Sequence, residues 1–182
     1  MSIRFYAVIF LIIISASLAH AQLKQLQALK KESYVTYKLT HPLHEVEATS
    51  KDVYCVINLD TAKKEIKNVS VQIDVTTFDS GNSNRDSHAM ETVDAITYPD
   101  VRFISSSIYQ EGDSLKIHGM LTFHGITKDI YIAGVSKWTG SKLIVNGNFD
   151  ISLTAFKVPR PALLLIPVSD NLRFSVYQVF NL

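Results

Sequence analysis

The sequence predicts an all-β fold of eight antiparallel strands closed into one up-and-down barrel, with a short helix in one connection. Apolar and polar residues alternate with a period of two through most of the chain, which is typical of antiparallel strands with one face in water. Several alternating segments are about ten residues long, whereas the usual strand has about 5–6 residues. Long strands in sequential hairpins favour a closed barrel, and a two-sheet sandwich is the alternative.

The first 21 residues have the three-part composition of a signal peptide. Arg4 is the only Lys, Arg, Asp or Glu among the first 23 residues, and an apolar run from Ala7 to Ile14 follows it. Ala19-His20-Ala21 then supplies the small residues that signal peptidase accepts. The apolar run is too short for a bilayer, which needs about 20 residues, although an uncleaved anchor is the alternative. We therefore predict cleavage after Ala21 and a periplasmic or secreted protein.

Composition and charge exclude several classes of protein. The chain has 18 Lys and Arg against 17 Asp and Glu, and removal of Arg4 with the signal peptide leaves 17 of each. This balance argues against a nucleic-acid-binding protein and against an acidic disordered tail. A net charge of zero also gives no overall attraction to anionic membranes, so membrane contact would require a local patch. Stable membrane insertion is not expected.

The strands follow a leader arm that we predict over residues 22–32. The clearest alternating segments are Val69–Val75, Leu115–Phe123, Ile126–Trp138, Leu143–Leu153 and Leu172–Val176. Turn-forming residues separate neighbouring segments, as in Glu111-Gly112-Asp113, His124-Gly125 and Thr139-Gly140-Ser141. Cys55 lies within a further apolar segment, which predicts a buried and unreactive thiol.

One polar segment interrupts the alternation between the strands. It begins at Ser80, and Met90 and Val93 then recur at helical spacing. We predict a short helix over residues 84–95 that caps one end of the barrel, and Pro99 is expected to end the connection.

Three motifs in the chain resemble the YceI-like family. They are Asn84-Arg85-Asp86-Ser87-His88, the strand segment Tyr98–Ser105 and the hairpin segment Leu115–Lys128. The resemblance extends from Tyr34 to the C-terminus. It implies a lipocalin-like barrel domain over residues 33–182 that holds a polyisoprenoid or another amphiphilic lipid in its interior.

The chain also departs from the motifs of that family. The family's His-Ser pair after the first strand is replaced by residues 41–45, and its C-terminal R-x-D-F-G element is replaced by residues 156–161. The chain therefore resembles a divergent branch of the family. The expected partner is a long-chain isoprenoid or fatty lipid, and the sequence does not identify which one.

Candidate ligand-binding residues belong to three groups. Large inward side chains would form the cavity wall, inward glycines would leave space for a ligand, and polar residues of the family motifs would contact a head group at the mouth. The groups are Phe103, Leu121, Phe123, Trp138 and Phe149; Gly119, Gly134 and Gly147; and Arg85, His88 and His124.

Arg85 suits a phosphate or carboxylate head group because a guanidinium binds such anions in a bidentate manner. The alternative is structural, with Arg85 or Asp86 capping the short helix and tying its loop to the barrel. His88 and His124 have the same two interpretations, either a contact with the ligand or a hydrogen bond that fixes a turn.

These observations predict a non-enzymatic carrier or sequestering protein for a long-chain apolar ligand, without a cofactor. A metal site is not expected, because the five His after residue 21 form no tight ligand motif. Two alternatives stay open: a structural or interaction barrel with a packed interior, and an extracytoplasmic enzyme that uses Asp86 and His88 as acid and base. A homodimer is also left open.

Overall fold

The computed structural model describes residues 23–182. The predicted signal peptide lies outside the described residues. The described strands are β1 (Leu23–Gln27), β2 (Tyr34–His41), β3 (His44–Ser50), β4 (Val53–Asp60), β5 (Glu65–Asp74), β6 (Asp100–Glu111), β7 (Ser114–Phe123), β8 (Ile126–Thr139), β9 (Lys142–Ser152), β10 (Ala162–Leu163), β11 (Ile166–Pro167) and β12 (Asn171–Asn181). Helix α1 spans Ser83–Thr92, and single 3₁₀ turns occur at Val75–Thr77 and Thr154–Phe156.

Ten of these strands form one antiparallel sheet in the order β1-β4-β5-β6-β7-β8-β9-β12-β2-β3. The sheet curls into an open half-barrel, and β10 and β11 form a separate small hairpin. The all-β antiparallel prediction is therefore confirmed, together with one short helix. The prediction of a closed eight-stranded barrel is wrong, because the sheet has ten strands and two edge strands, β1 and β3.

The departure from a closed barrel originates at the N-terminal end of the described chain. Leu23–Gln27 lie in the predicted leader arm, but they form strand β1 and pair with β4. The chain then reaches β12 through a bridge between Ala28 and Phe180, and β2 pairs with the same edge of β12, since β9 pairs along its other edge. The sequence had predicted sequential hairpins throughout the fold, but they do not extend through the whole sheet.

The alternating segments form strands where the sequence predicted them. In β7, every second residue from Leu115 to Phe123 is buried, because the pleat directs alternate side chains to opposite faces. The predicted helix also forms, but it begins at Ser83 and ends at Thr92 rather than at residue 95. The side chain of Asn82 accepts a hydrogen bond from the backbone N–H of Arg85 and caps its N-terminus.

The β10–β11 hairpin projects from the long connection between β9 and β12. Its two loop residues, Leu164 and Leu165, both have left-handed backbone conformations, with φ of 52° and 68°. Such two-residue loops favour Asn and Gly, and each bulky residue in this region costs about 1–3 kcal/mol. The base of the hairpin is fixed by Arg160, whose Nε and Nη2 donate to the carbonyl oxygen of Val168 at 2.9 and 2.6 Å.

Asp170 anchors the same connection to the end of β9. Its carboxylate accepts hydrogen bonds from Ser152 Oγ at 2.6 Å and from the backbone N–H of Thr154 at 2.8 Å. These hydrogen bonds, the Ser152 hydroxyl first, hold the pKa of Asp170 below its ordinary value of 3.8. The stabilisation is therefore complete above the ordinary pKa and is lost as the pH falls through the lower pKa of the folded protein.

We expect Asp170→Asn to lower the melting temperature at neutral pH and to make unfolding less sensitive to acid below about pH 4. The asparagine keeps one acceptor oxygen but carries no charge to be titrated. Melting temperatures of both proteins across the acid range will measure this. Parallel curves would show that Asp170 contributes nothing to acid unfolding.

Candidate ligand-binding cavity

Two adjoining cavities lie inside the curled sheet. The outer cavity has a volume of about 460 Å³ and lies at the end of the half-barrel where α1 and the β10–β11 hairpin approach each other. The inner cavity, of about 90 Å³, lies deeper between the strands. Phe78, Val101, Phe123 and Phe174 line both. The cavities therefore form one recess that extends from this end of the half-barrel into its core.

The inner cavity is almost entirely apolar. Inward side chains of the long strands form its walls, and Gln178 of β12 is one of its few polar neighbours. The side-chain N–H of Gln178 donates to the carbonyl oxygen of Tyr34 at 3.2 Å, whereas its side-chain oxygen has no partner among the described residues. Cys55 also lines this cavity and is buried as predicted. Burial raises the pKa of the Cys55 thiol to about 12, so the thiol is protonated at neutral pH.

The outer cavity is apolar with a few polar groups at its mouth. Arg85 and Asp86 line it, but both also bind Ser80 in the loop before α1. Arg85 Nε donates to Ser80 Oγ at 2.8 Å and Nη2 donates to the Ser80 carbonyl oxygen at 2.6 Å. The Asp86 carboxylate accepts from the Ser80 backbone N–H at 3.1 Å and from its hydroxyl. These contacts favour a structural role for the pair, but they tie the helix to the loop before it, whereas the sequence analysis expected the loop to be tied to the barrel.

Tyr37 of β2 belongs to the same polar group and was missed by the sequence analysis. Burial raises the pKa of the Tyr37 phenol, the charge of Asp86 raises it further, and Arg85 opposes them. Tyr37 therefore supplies a neutral hydroxyl beside the cavity. The alternation of Val35, Tyr37 and Leu39 in β2 was the signal that could have placed it on the inner face.

The predicted site residues divide between the two cavities and positions outside them. Phe103, Leu121, Phe123, Gly134, Gly147 and Phe149 line the inner cavity. Arg85, His88 and Phe123 line the outer cavity. Gly119, His124 and Trp138 line neither.

His124 and Trp138 make contacts elsewhere in the fold. His124 Nδ1 lies 3.0 Å from the carbonyl oxygen of Phe156, and its ring packs against Tyr98 with centroids 4.7 Å apart. This matches the alternative in which His124 fixes a turn. Trp138 lies under the ammonium of Lys64, 5.5 Å from the ring centroid.

Two of the three inward glycines do not provide space for a ligand. A Cβ at Gly119 would meet the carbonyl oxygen of Ile104, and one at Gly134 would meet that of Asn146. These glycines therefore allow close approach of backbones within the sheet, and the expectation that they enlarge the cavity is wrong. At Gly147 the nearest atom is a methyl carbon of Ile132 at 3.1 Å, which a small rotation of that side chain can relieve.

The geometry does not bring Asp86 and His88 together. Asp86 is held by Ser80, whereas Nδ1 of the exposed His88 lies 3.6 Å from Glu91 Oε2. Within residues 23–182, no group of three or more His, Cys, Asp and Glu is arranged to hold a metal ion. In the same part of the chain, no helix is long and apolar enough to cross a membrane.

The YceI-like domain model matches residues 26–180. The chain belongs to the YceI-like family. The match begins at Leu26, so it includes the last two residues of β1.

Curated relatives match this YceI-like chain over most of their length. A UPF0312 protein of Pseudomonas savastanoi pv. phaseolicola is 26% identical over 156 residues, which cover 80% of this chain and 79% of the relative. A UPF0312 protein of Pseudomonas putida (strain F1) is 27% identical over 159 residues, which cover 82% of this chain and 83% of the relative.

Solved structures share the fold. Burkholderia cenocepacia BcnA matches with a TM-score of 0.75 and 23% identity, over 84% of this chain and 98% of BcnA. The Campylobacter jejuni YCEI protein matches with a TM-score of 0.69 and 24% identity, over 79% and 88% of the two chains. A domain from Saccharophagus degradans, described as a polyisoprenoid binding domain, matches with a TM-score of 0.64 and 10% identity, over 88% and 99%.

Proposed function

We propose that this YceI-like protein is an exported carrier or sequestering protein that holds a long-chain apolar ligand, a polyisoprenoid or another amphiphilic lipid. The observation that carries the proposal is the recess formed by the two cavities. The volume of its outer part, about 460 Å³, lies within the range of roughly 300–1,000 Å³ that is usual for small-molecule sites.

The distribution of polarity in the recess suits a ligand with one polar end. The inner cavity has apolar walls on nearly all sides, and each methylene group buried there contributes about 0.8 kcal/mol. Polar side chains, including Tyr37, His44 and Arg85, lie at the outer cavity. A ligand with its apolar tail in the inner cavity and its head group at the mouth would match both the apolar walls and the polar side chains.

Two further observations support the proposal. The Saccharophagus degradans domain with the same fold is described as polyisoprenoid-binding. The charged residue, apolar run and small residues of the first 21 positions support export to the periplasm or outside the cell. The inner cavity of about 90 Å³ also argues against the alternative of a fully packed interior, since protein cores contain few voids larger than a water molecule.

The proposal predicts that added lipid stabilises the delipidated protein in proportion to chain length. At a ligand concentration of about 100 times Kd, binding stabilises the folded state by about 2.7 kcal/mol, which corresponds to a rise of roughly 5–10 °C in melting temperature. Thermal melts with long-chain isoprenoid alcohols and fatty acids will measure this, with short-chain analogues of the same head groups as controls. An unchanged melting temperature at every chain length would contradict lipid binding.

A further inference from the structure

The most exposed apolar segment of the described chain is the tip of the β10–β11 hairpin. Its four consecutive residues, Leu163, Leu164, Leu165 and Ile166, have exposed fractions of 47, 76, 96 and 41%. Scattered single apolar residues are normal on a protein surface, but a contiguous projecting group marks an interaction site.

The backbone conformation indicates that the two loop leucines do not stabilise the hairpin. Leu164 and Leu165 both have positive φ values, in a two-residue loop where Asn and Gly are favoured. Neither side chain gains burial in exchange for this unfavourable conformation. Both leucines therefore combine an unfavourable backbone conformation with an apolar side chain in contact with water.

The chain segment that contains the hairpin carries charges of one sign. Between Asp150 and Asp170 the sequence contains Lys157 and Arg160 but no Asp or Glu. This is a local basic segment in a chain whose charges nearly cancel, and it suits an anionic lipid surface. An apolar tip preceded by basic residues has the composition of an interfacial anchor.

The hairpin also lies at the mouth of the outer cavity. Ala162 and Leu163 line that cavity, and Nε2 of His41 lies 2.9 Å from the carbonyl oxygen of Ile166. The turn beside His41 carries Leu43, which is 61% exposed. A surface that contacts the tip and Leu43 would therefore lie next to the entrance of the recess.

We propose that the β10–β11 hairpin docks the protein on an anionic lipid bilayer, with the cavity mouth beside the membrane surface. A bilayer suits this tip better than a protein partner, because a projecting group of aliphatic side chains enters a fluid apolar layer without needing a complementary pocket. The inference rests on the proposed function for its purpose, since a water-insoluble ligand has to be exchanged with a membrane. The docking itself can be measured without the ligand.

The test measures how much of the purified wild-type protein, and of each variant, floats together with vesicles. The vesicles are made of equal parts phosphatidylcholine and phosphatidylglycerol. The variant Leu164→Asn/Leu165→Gly removes the apolar tip and supplies the residues that the loop conformation favours, so the hairpin is retained. We expect this variant to lose at least about tenfold in vesicle binding. Ile104→Thr, which removes an exposed aliphatic residue from the outer face of β6, is the matched control and should bind as the wild type does.

Failure of docking and failure of lipid carriage give different results. Wild-type protein that does not float, or a hairpin variant that floats equally well, overturns the docking proposal whether or not lipid is extracted from the protein. Ala89→Trp, which places a large side chain in the outer cavity, is expected to lose ligand but still float. A wild-type dimer that the hairpin variant loses, without vesicle binding, would assign the tip to a second copy of the chain and overturn the proposal.

Discussion

Replacement of Val101 by tryptophan is expected to remove nearly all bound lipid from the protein. Val101 lines both cavities, so a large side chain at this position would occupy the junction through which a ligand tail must pass. Overpacking of a full core costs about 1–3 kcal/mol, but the adjoining outer cavity of about 460 Å³ offers space for the new ring. We therefore expect the fold to survive and lipid content to fall by at least about tenfold.

The matched control for this variant is Val135→Trp. Val135 lies on the outer face of β8 and is 48% exposed, so the same substitution there leaves the recess unchanged. Extraction and mass spectrometry will compare the lipid content, and circular dichroism will verify the fold. If Val101→Trp prevents folding, Ala89→Trp tests the same block from the helix side. Normal lipid content in a folded Val101→Trp protein would show that the ligand does not occupy the recess.

Truncation of Phe180 to alanine is expected to give the largest loss of stability, about 3–5 kcal/mol. Phe180 is 1% exposed, and its side chain lines the inner cavity. Its backbone forms the bridge with Ala28, and next to it the N–H of Leu29 donates to the carbonyl oxygen of Val179 at 2.7 Å. The truncation therefore enlarges a cavity at the place where the chain from β1 meets β12.

Urea unfolding of the wild type and of Phe180→Ala will measure this loss. Tyr131→Ala is the control, because Tyr131 is an aromatic residue on the outer face of β8 with three quarters of its surface exposed, and such substitutions usually change stability by about 0.5 kcal/mol or less. Equal effects of the two truncations would show that the contact between β1 and β12 does not stabilise the sheet.

The alternation of apolar residues was sufficient to predict most of the strands, because one face of the sheet is buried and the other is in water. β5, β7, β8, β9 and β12 all arise where this pattern is strong. The edges of the sheet were not predictable in the same way. β1 is short, and one buried residue, Leu26, carries its packing, so its sequence resembles that of a loose arm. Its pairing with β4 rather than β2 depends on contacts distant in sequence.

The sequence predicted residues that form the walls of the candidate site, but it did not predict how its entrance is formed. Large inward residues such as Phe103 and Phe149 follow from alternation and line the inner cavity. A glycine on an inward position gives the same signal whether it leaves space or allows close backbone contact, and only the neighbouring carbonyl oxygens at Gly119 and Gly134 decide between these. The mouth is formed by α1 and the connection after β9, whose positions have no periodic signal in the sequence.

The most direct test of lipid carriage is mass spectrometry of an organic extract from protein purified under native conditions from the cells that produce it. We expect a long-chain isoprenoid or fatty lipid in an amount approaching one molecule per chain, and its absence from a parallel extract of the Val101→Trp variant. Wild-type protein that yields no lipid, and takes up none when long-chain lipids are added, would contradict the account.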